Sequence, residues 1–210
     1  MKRVGSKKKQ RWTDHYSEQA KKERYPARSV YKLKEVQKKY RLIRKGDQVV
    51  DLGCSPGSWL LYAADLTGKH GKVFGIDLKP VTVQIPPQAE TLEVDILTID
   101  RSWIENNGFA SRFNVVLSDM APATTGNKVI DAERSYQLCQ AALNIAQMVL
   151  RPGGSFVCKI FQGEEFKKFS DSVRSRFKTH KIFKPQSSRK VSKEIFVIGL
   201  GFKKNSHTST

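Results

Sequence analysis

Cysteine is scarce in this chain: of 210 residues only Cys54, Cys139 and Cys158 are thiols, and they form neither a CxxC pair nor a group with neighbouring histidines. An odd, scattered set of this kind excludes a disulfide framework and a zinc site, and points to small buried residues in a reducing, cytoplasmic setting. Long apolar runs are also missing, with none near the roughly 18 residues a membrane span needs. The first ten residues are basic and contain no apolar segment, which argues against a secretion signal. Acidic residues are the third shortage: 38 Lys and Arg face 20 Asp and Glu, a formal net charge of +18. The acids that exist are gathered centrally. Residues 1–50 carry 17 Lys/Arg against 5 Asp/Glu, residues 51–150 carry 7 against 11, and residues 151–210 carry 14 against 4. If folding joins the two basic ends, they form one positive surface suited to a polyanion. Nucleic acid is favoured over an anionic membrane, because no long basic amphipathic helix with a Trp/Phe/Leu face is visible.

No internal repeat or low-complexity core interrupts the sequence. Residues 1–25 read as a basic, flexible arm with Trp12 and Tyr16 as available anchors, residues 26–203 as one domain, and residues 204–210 as a polar tail. A monomer is expected. Pro26 is expected to open a helix running to about Tyr40, with Val30, Leu33, Val36 and Tyr40 on one face. Strands are expected near Gln48–Leu52, Lys72–Ile76, Thr91–Val94, Phe113–Leu117, Ser155–Ile160, Lys181–Phe183 and Ile195–Leu200. Helices at Ser58–Leu66, Asp131–Leu150 and Glu164–Phe177 lie between them. This alternation predicts an α/β fold: a mostly parallel seven-stranded sheet with helices on both faces and an antiparallel last strand.

The string DLGCSPGSW, Asp51 to Trp59, lies where the first strand meets a helix. Gly53 allows a tight turn, and Gly57 allows a ligand to approach the helix start. Asp77 closes the second strand in VFGIDL, where a carboxylate can accept both hydroxyls of a ribose. A dinucleotide fingerprint would need a second glycine at position 55, where this chain has Ser55 followed by Pro56. DxGxxPG instead resembles motif I of S-adenosylmethionine-dependent methyltransferases, whose fold is Rossmann-like.

Ligands of such sheets sit outside the carboxyl ends of the strands. The fourth strand ends in VVLSDMAP with Asp119, the fifth in FVCKIFQG with Lys159, and the last begins at SSRKVSKEIF with Glu194. Lys159 lies among Phe156, Val157, Ile160 and Phe161, and burying it unpaired costs several kcal/mol. A carboxylate must therefore be close, with Asp119 and Glu194 as candidates. Lys32, at the border of the first helix's apolar face, is a fourth member. Each residue alone has a plainer reading: a solvated lysine, a turn-capping aspartate, a surface glutamate beside Lys193 or Arg189. Those readings do not jointly explain four charged groups at three strand ends and one adjacent helix.

With these residues in place the chain resembles the FtsJ (RrmJ) family of ribose 2′-O-methyltransferases from about Arg11 to Phe202. The matching strings are PARSVYKLKEV, DLGCSPGSW, SDMAP, LRPGGSFVCKIFQGEEF and KPQSSRKVSKEIF. The resemblance implies a catalytic set of Lys32, Asp119, Lys159 and Glu194, and donor contacts at Gly53, Gly57, Trp59, Asp77, Asp95 and Asp119. Asp95 would read the adenine amino group, and Trp59 would wall the methionine end of the donor. It further implies S-adenosyl-L-methionine as the consumed methyl donor and no metal. The substrate it implies is RNA, a uridine in the A-loop of large-subunit ribosomal RNA, free or in the ribosomal particle. Lys159 would either take the hydroxyl proton or, kept protonated, stabilise the alkoxide. Two departures stand out: Ser58 where many members have glycine, and Phe196 where some have tyrosine.

Other chemistries fit the residues less well. Exocyclic-amine methylation favours an (Asp/Asn)-Pro-Pro-aromatic loop where this chain has SDMAP, and cytosine C5 methylation needs a cysteine there, for which Cys54 and Cys158 are misplaced. A nicotinamide-linked oxidoreductase lacks its second glycine. Alternatives within RNA are transfer RNA or messenger caps as substrates, or a non-catalytic RNA-binding assembly factor for ribosomes.

Overall fold

The computed structural model describes residues 15–189 and 192–203. The outer part of the expected arm, with Trp12, and the tail at 204–210 lie outside the described residues. Residues 15–22 form a helix, α1. It is followed by α2 (Val30–Tyr40), β1 (Gln48–Leu52), α3 (Ser58–Thr67), β2 (Lys72–Asp77), β3 (Ala89–Glu93) and α4 (Arg101–Asn106). The second half comprises β4 (Phe113–Ser118), α5 (Lys128–Val149), β5 (Leu150–Phe161), α6 (Phe166–Arg176), β6 (Phe177–Phe183) and β7 (Glu194–Phe202).

The seven strands form one sheet in the order β3-β2-β1-β4-β5-β7-β6. All pairings are parallel except those of β7, which runs antiparallel to both β5 and β6. Alternation of side chains divides the core in two. Val50, Leu52, Val116, Phe156, Cys158 and Val197 face the layer of α5 and α6. Val49, Val115, Leu117, Val157, Phe196 and Ile198 face α2 and α3. Burial of each large side chain contributes about 1.5–3 kcal/mol. The three thiols belong to this core, at 3%, 2% and 0% exposure for Cys54, Cys139 and Cys158. Burial pushes the Cys54 and Cys139 thiols up from their ordinary values.

Four boundaries differ most from the sequence reading. The loose arm extended too far, because α1 docks on α2: Ala20, Val30 and Tyr31 are buried together with Tyr16, Tyr25 and Tyr62 against them. Helix α2 starts at Val30 rather than Pro26, because the preceding residues make a tight turn held from α3. Ser58 Oγ accepts the Ala27 N–H at 2.7 Å and donates to the Ala27 carbonyl at 3.0 Å. The Trp59 indole N–H donates to the Ser29 carbonyl at 2.9 Å. Strand β6 begins at Phe177, four residues early, because that ring is buried against Phe156 and Phe202 and so draws the chain out of the helix. Strand β5 likewise begins early, at Leu150, which already pairs with Phe113 of β4.

The hydroxyl at position 58 thus clasps the turn before α2 to the start of α3 through both backbone groups of Ala27. Ser58→Gly is expected to lower the unfolding free energy by about 1–2 kcal/mol, read from the urea midpoint. An unchanged midpoint would show the clasp to be idle.

Candidate active site

The carboxyl end of the parallel sheet carries the acids and lysines singled out above. Strand β4 delivers Asp119 just beyond Ser118, and Lys159 lies near the end of β5 on the α2 face, in register with Phe196. Because β7 runs antiparallel, its first residue, Glu194, falls at the same end of the sheet, opposite Phe161. Helix α2 presents Lys32 from above. The four side chains alternate in charge. Lys159 Nζ lies 2.9 Å from Asp119 Oδ1, Lys32 Nζ lies 3.6 Å from the same oxygen, and Lys32 Nζ lies 2.9 Å from Glu194 Oε2.

Lys159 is 6% exposed. Its contact with Asp119 Oδ1 is an ion pair whose angles fall outside hydrogen-bond geometry. The directed bond of the ammonium goes instead to the Asp119 backbone carbonyl. An ammonium carries three donors and only one is committed to that carbonyl, so donor capacity remains. Glu194 pairs with Lys32 and not directly with Lys159 among the described residues. Burial alone would raise the Glu194 carboxyl, but the charge of Lys32, the neighbouring Ser188 hydroxyl and the more distant Lys159 outweigh it and hold the group below its ordinary range.

Residues that drew no attention in the sequence hold this quartet in position. The Glu35 carboxylate accepts the N–H groups of Gln186 and Ser187 at 2.7 and 2.8 Å, fixing the β6–β7 loop against α2. Arg28 Nη2 donates to the Ser187 carbonyl at 2.6 Å. The Lys184 ammonium donates to the backbone carbonyls of Ser192 and Glu194. The only sequence signal of Glu35, Arg28 and Lys184 was membership in the strings PARSVYKLKEV and KPQSSRKVSKEIF.

Beside the quartet lies the glycine turn. Gly53 has φ +79° and sits so close to Met120 that a Cβ would overlap that side chain. Gly57 has φ +112° and caps α3, and a Cβ there would press on Val81 and Val83 at 3.0 and 3.1 Å. Both Asp77 oxygens accept backbone N–H groups, Oδ2 from Ser55 and Oδ1 from Lys79, each at 2.9 Å. A carboxylate has about four lone-pair positions, so acceptor capacity remains. Asp95 Oδ1 accepts the Leu97 N–H at 2.9 Å, and Oδ2 has no partner among the described residues. Leu78 and Leu97, next to these two acids, are 69% and 62% exposed. Trp59 departs from expectation: its indole is 3% exposed and stacked on Phe196 at 5.8 Å, so the ring belongs to the core. What it offers a ligand is its backbone N–H in the first turn of α3, where no helical acceptor exists. Phe196, the second departure, is fully buried in that stack.

A profile of the FtsJ-like methyltransferase family matches residues 25–202. The chain belongs to the FtsJ-like methyltransferase family. It is 57% identical over 196 residues to the protein called ribosomal RNA large subunit methyltransferase E of Desulforapulum autotrophicum, covering 93% of this chain and 96% of that one. Identity to the protein of the same name from Desulfosudis oleivorans is 52% over 197 residues, 94% of each chain. Among solved structures, a Plasmodium falciparum protein described as a ribosomal RNA methyltransferase superposes with a TM-score of 0.72 at 25% identity, over 85% of this chain and 98% of that one. Aeropyrum pernix fibrillarin, in complex with S-adenosyl-L-methionine, shares the fold at a TM-score of 0.56 and 15% identity, over 76% and 68% of the two chains. This FtsJ-like chain has, among its described residues, no helix long and apolar enough to cross a membrane and no group of three or more His, Cys, Asp or Glu arranged to hold a metal ion.

Asp51, in β1 beneath the glycine turn, was read only as part of its string. It is fully buried with neither oxygen hydrogen-bonded. Burial, then the charges of Asp119 and Asp77, push its carboxyl well above the ordinary value of 3.8. Below that value the group is neutral in both states; above it the unfolded chain ionises while the folded one resists, so folding stability falls as pH rises. Asp51→Asn is therefore expected to match wild type in melting temperature near pH 4 and to gain on it progressively toward about pH 8. Parallel curves would refute a neutral Asp51.

Proposed function

We propose that this FtsJ-like protein transfers the methyl group of S-adenosylmethionine to a ribose 2′-hydroxyl of large-subunit ribosomal RNA, at a uridine of the A-loop. The observation that carries the reading is Lys159, held on Asp119 at 2.9 Å with 6% exposure, at the strand ends beside the glycine turn. The names of the relatives at 57% and 52% identity support ribosomal RNA as the substrate, and the basic ends of the chain suit a polyanion.

The crevice has the donor set such a methyl donor requires. Asp77 has acceptor capacity for the ribose diol, Asp95 Oδ2 for the adenine amino group, and the exposed Leu78 and Leu97 give the purine apolar neighbours. The backbone of the Gly53–Gly57 turn and the Trp59 N–H face the methionine end with a donor. Asp119, shared between crevice and quartet, sits where a cationic ligand meets the catalytic lysine. When bound, S-adenosylmethionine supplies a methyl group on sulfonium, already activated toward a nucleophile.

The chain's own task is alignment and handling of one proton. A position on Lys159 Nζ that Asp119 does not engage is the position for the ribose 2′-oxygen. As an amine, Lys159 takes the hydroxyl proton there; as an ammonium, it donates a hydrogen bond to the oxygen as negative charge develops. Asp119 fixes the amine in either role. Lys32 and Glu194 close the set so that two cations face two carboxylates, and no buried charge is left unbalanced.

Lys159→Ala is expected to lower methyl transfer by at least about 100-fold while calorimetric affinity for S-adenosylmethionine stays within a few-fold. Transfer is read as labelled methyl in an alkali-resistant dinucleotide, because alkaline cleavage of RNA requires a free 2′-hydroxyl. Near-normal transfer by the variant, or label that alkali releases as mononucleotide, would overturn the assignment.

A further inference from the structure

At the end of the sheet opposite the catalytic lysine lies a pocket of about 260 Å³. It opens between the amino-terminal ends of β1, β4 and β5 and the carboxyl-terminal end of β7, with the last residues of α2 as one wall. Three arginines line it, Arg41, Arg44 and Arg151, each exposed and each from a different segment: the cap of α2, the loop before β1, and the start of β5.

One acid, Asp47, shares the lining, but its carboxylate is turned to the backbone, where Oδ2 accepts the Arg44 N–H at 2.8 Å. None of the ion pairs among the described residues involves Arg41, Arg44 or Arg151. The negative end of α2 accounts for a cation at Arg41, but not for the other two. Three unpaired guanidinium groups around one concavity repel each other unless an anion joins them, and their planar forks suit phosphate oxygens.

Helix α2 connects this pocket to the catalytic end. Lys32 and Lys39 are two turns apart on one face, about 10 Å along the axis, and Lys39 with Lys38 is exposed in the last turn before Arg41. Lys32 is paired within the quartet, and Glu35, between it and Lys39, has its carboxylate engaged by the Gln186 and Ser187 N–H groups, so the exposed cations Lys38, Lys39, Arg41, Arg44 and Arg151 form a positive strip over the far half of α2 and the pocket, too long for a mononucleotide and suited to a polynucleotide backbone. We propose that the Arg41–Arg44–Arg151 pocket is a second, remote phosphate-binding contact for the RNA substrate, engaged by a strand that leaves the catalytic end along α2. This rests on RNA being the substrate. The contact positions phosphates and reads no base, so it supplies affinity and salt dependence and not sequence choice.

The test uses the full chain with Arg41→Glu and Arg151→Glu combined, against a control of equal charge change on α6, Lys167→Glu with Arg174→Glu. Both pairs are exposed and outside the donor crevice, and unchanged calorimetric affinity for S-adenosylmethionine verifies folding of each. The pocket variant is expected to bind large-subunit ribosomal RNA about tenfold more weakly, with its salt slope reduced by about two, while the control shifts less than about threefold. Equal weakening of the two variants, with wild type methylating RNA, would overturn the pocket and leave the enzyme reading intact. A wild-type chain that neither binds nor methylates the RNA would overturn both. Inorganic phosphate alone, titrated calorimetrically, is expected to give no saturable heat; a saturable heat abolished in the pocket variant would reassign the site to the free anion.

Discussion

An ammonium group cannot be kept at the end of a buried strand by packing alone. Lys159 is surrounded by the apolar residues of β5 and β7, and removing its charge from water costs several kcal/mol that dispersion contacts do not return. The compensation is Asp119, which meets it with both a carboxylate oxygen and the backbone carbonyl. That pair sets demands on the rest of the molecule. Asp119 needs a second cation because it also faces the acidic glycine turn, and Lys32 supplies it from α2. Lys32 in turn requires Glu194, which reaches the site only because β7 is inserted antiparallel between β5 and β6. The unusual strand direction is thus tied to charge balance at the carboxyl end of the sheet.

The same end of the sheet holds two electrostatic regimes a few residues apart. Around Lys159 each charge has a partner of opposite sign. Around Asp51 there is none, and its carboxyl is driven toward the neutral form by burial and by Asp119 and Asp77. Asp77 and Asp95, in no ion pair among the described residues, supply the negative charge on that flank, so the crevice favours a cationic ligand.

Much of this arrangement was legible in the sequence, because the deciding features are local. Glycines at 53 and 57, an acid ending β2, and charged residues at apolar strand ends announce themselves by type and spacing. The cost of burying Lys159 was enough to require a nearby carboxylate before any geometry was known. What escaped the sequence depends on tertiary contacts. Tyr16 and Ala20 gain a helix only because Tyr25, Tyr31 and Tyr62 offer a surface to dock on. Phe177 leaves its helix for a strand because its ring fits over Gly199. Trp59 turned inward because Ser29 gave its N–H an acceptor and Phe196 gave its face a neighbour. Glu35, Arg28 and Lys184 act through backbone groups distant in the chain, and no pattern of residue types encodes such partners.

The burial of all three thiols has a practical side. Electrophilic labels react with accessible thiolate, and here access is suppressed for all three thiols and ionisation for Cys54 and Cys139. The folded protein is consequently a silent background: a single cysteine introduced on the surface can carry a fluorophore or a photocrosslinker without first removing the native ones. Unfolding reverses this and releases three reactive sulfurs at once, so the uptake of a maleimide reports the fraction of chains that have lost their core.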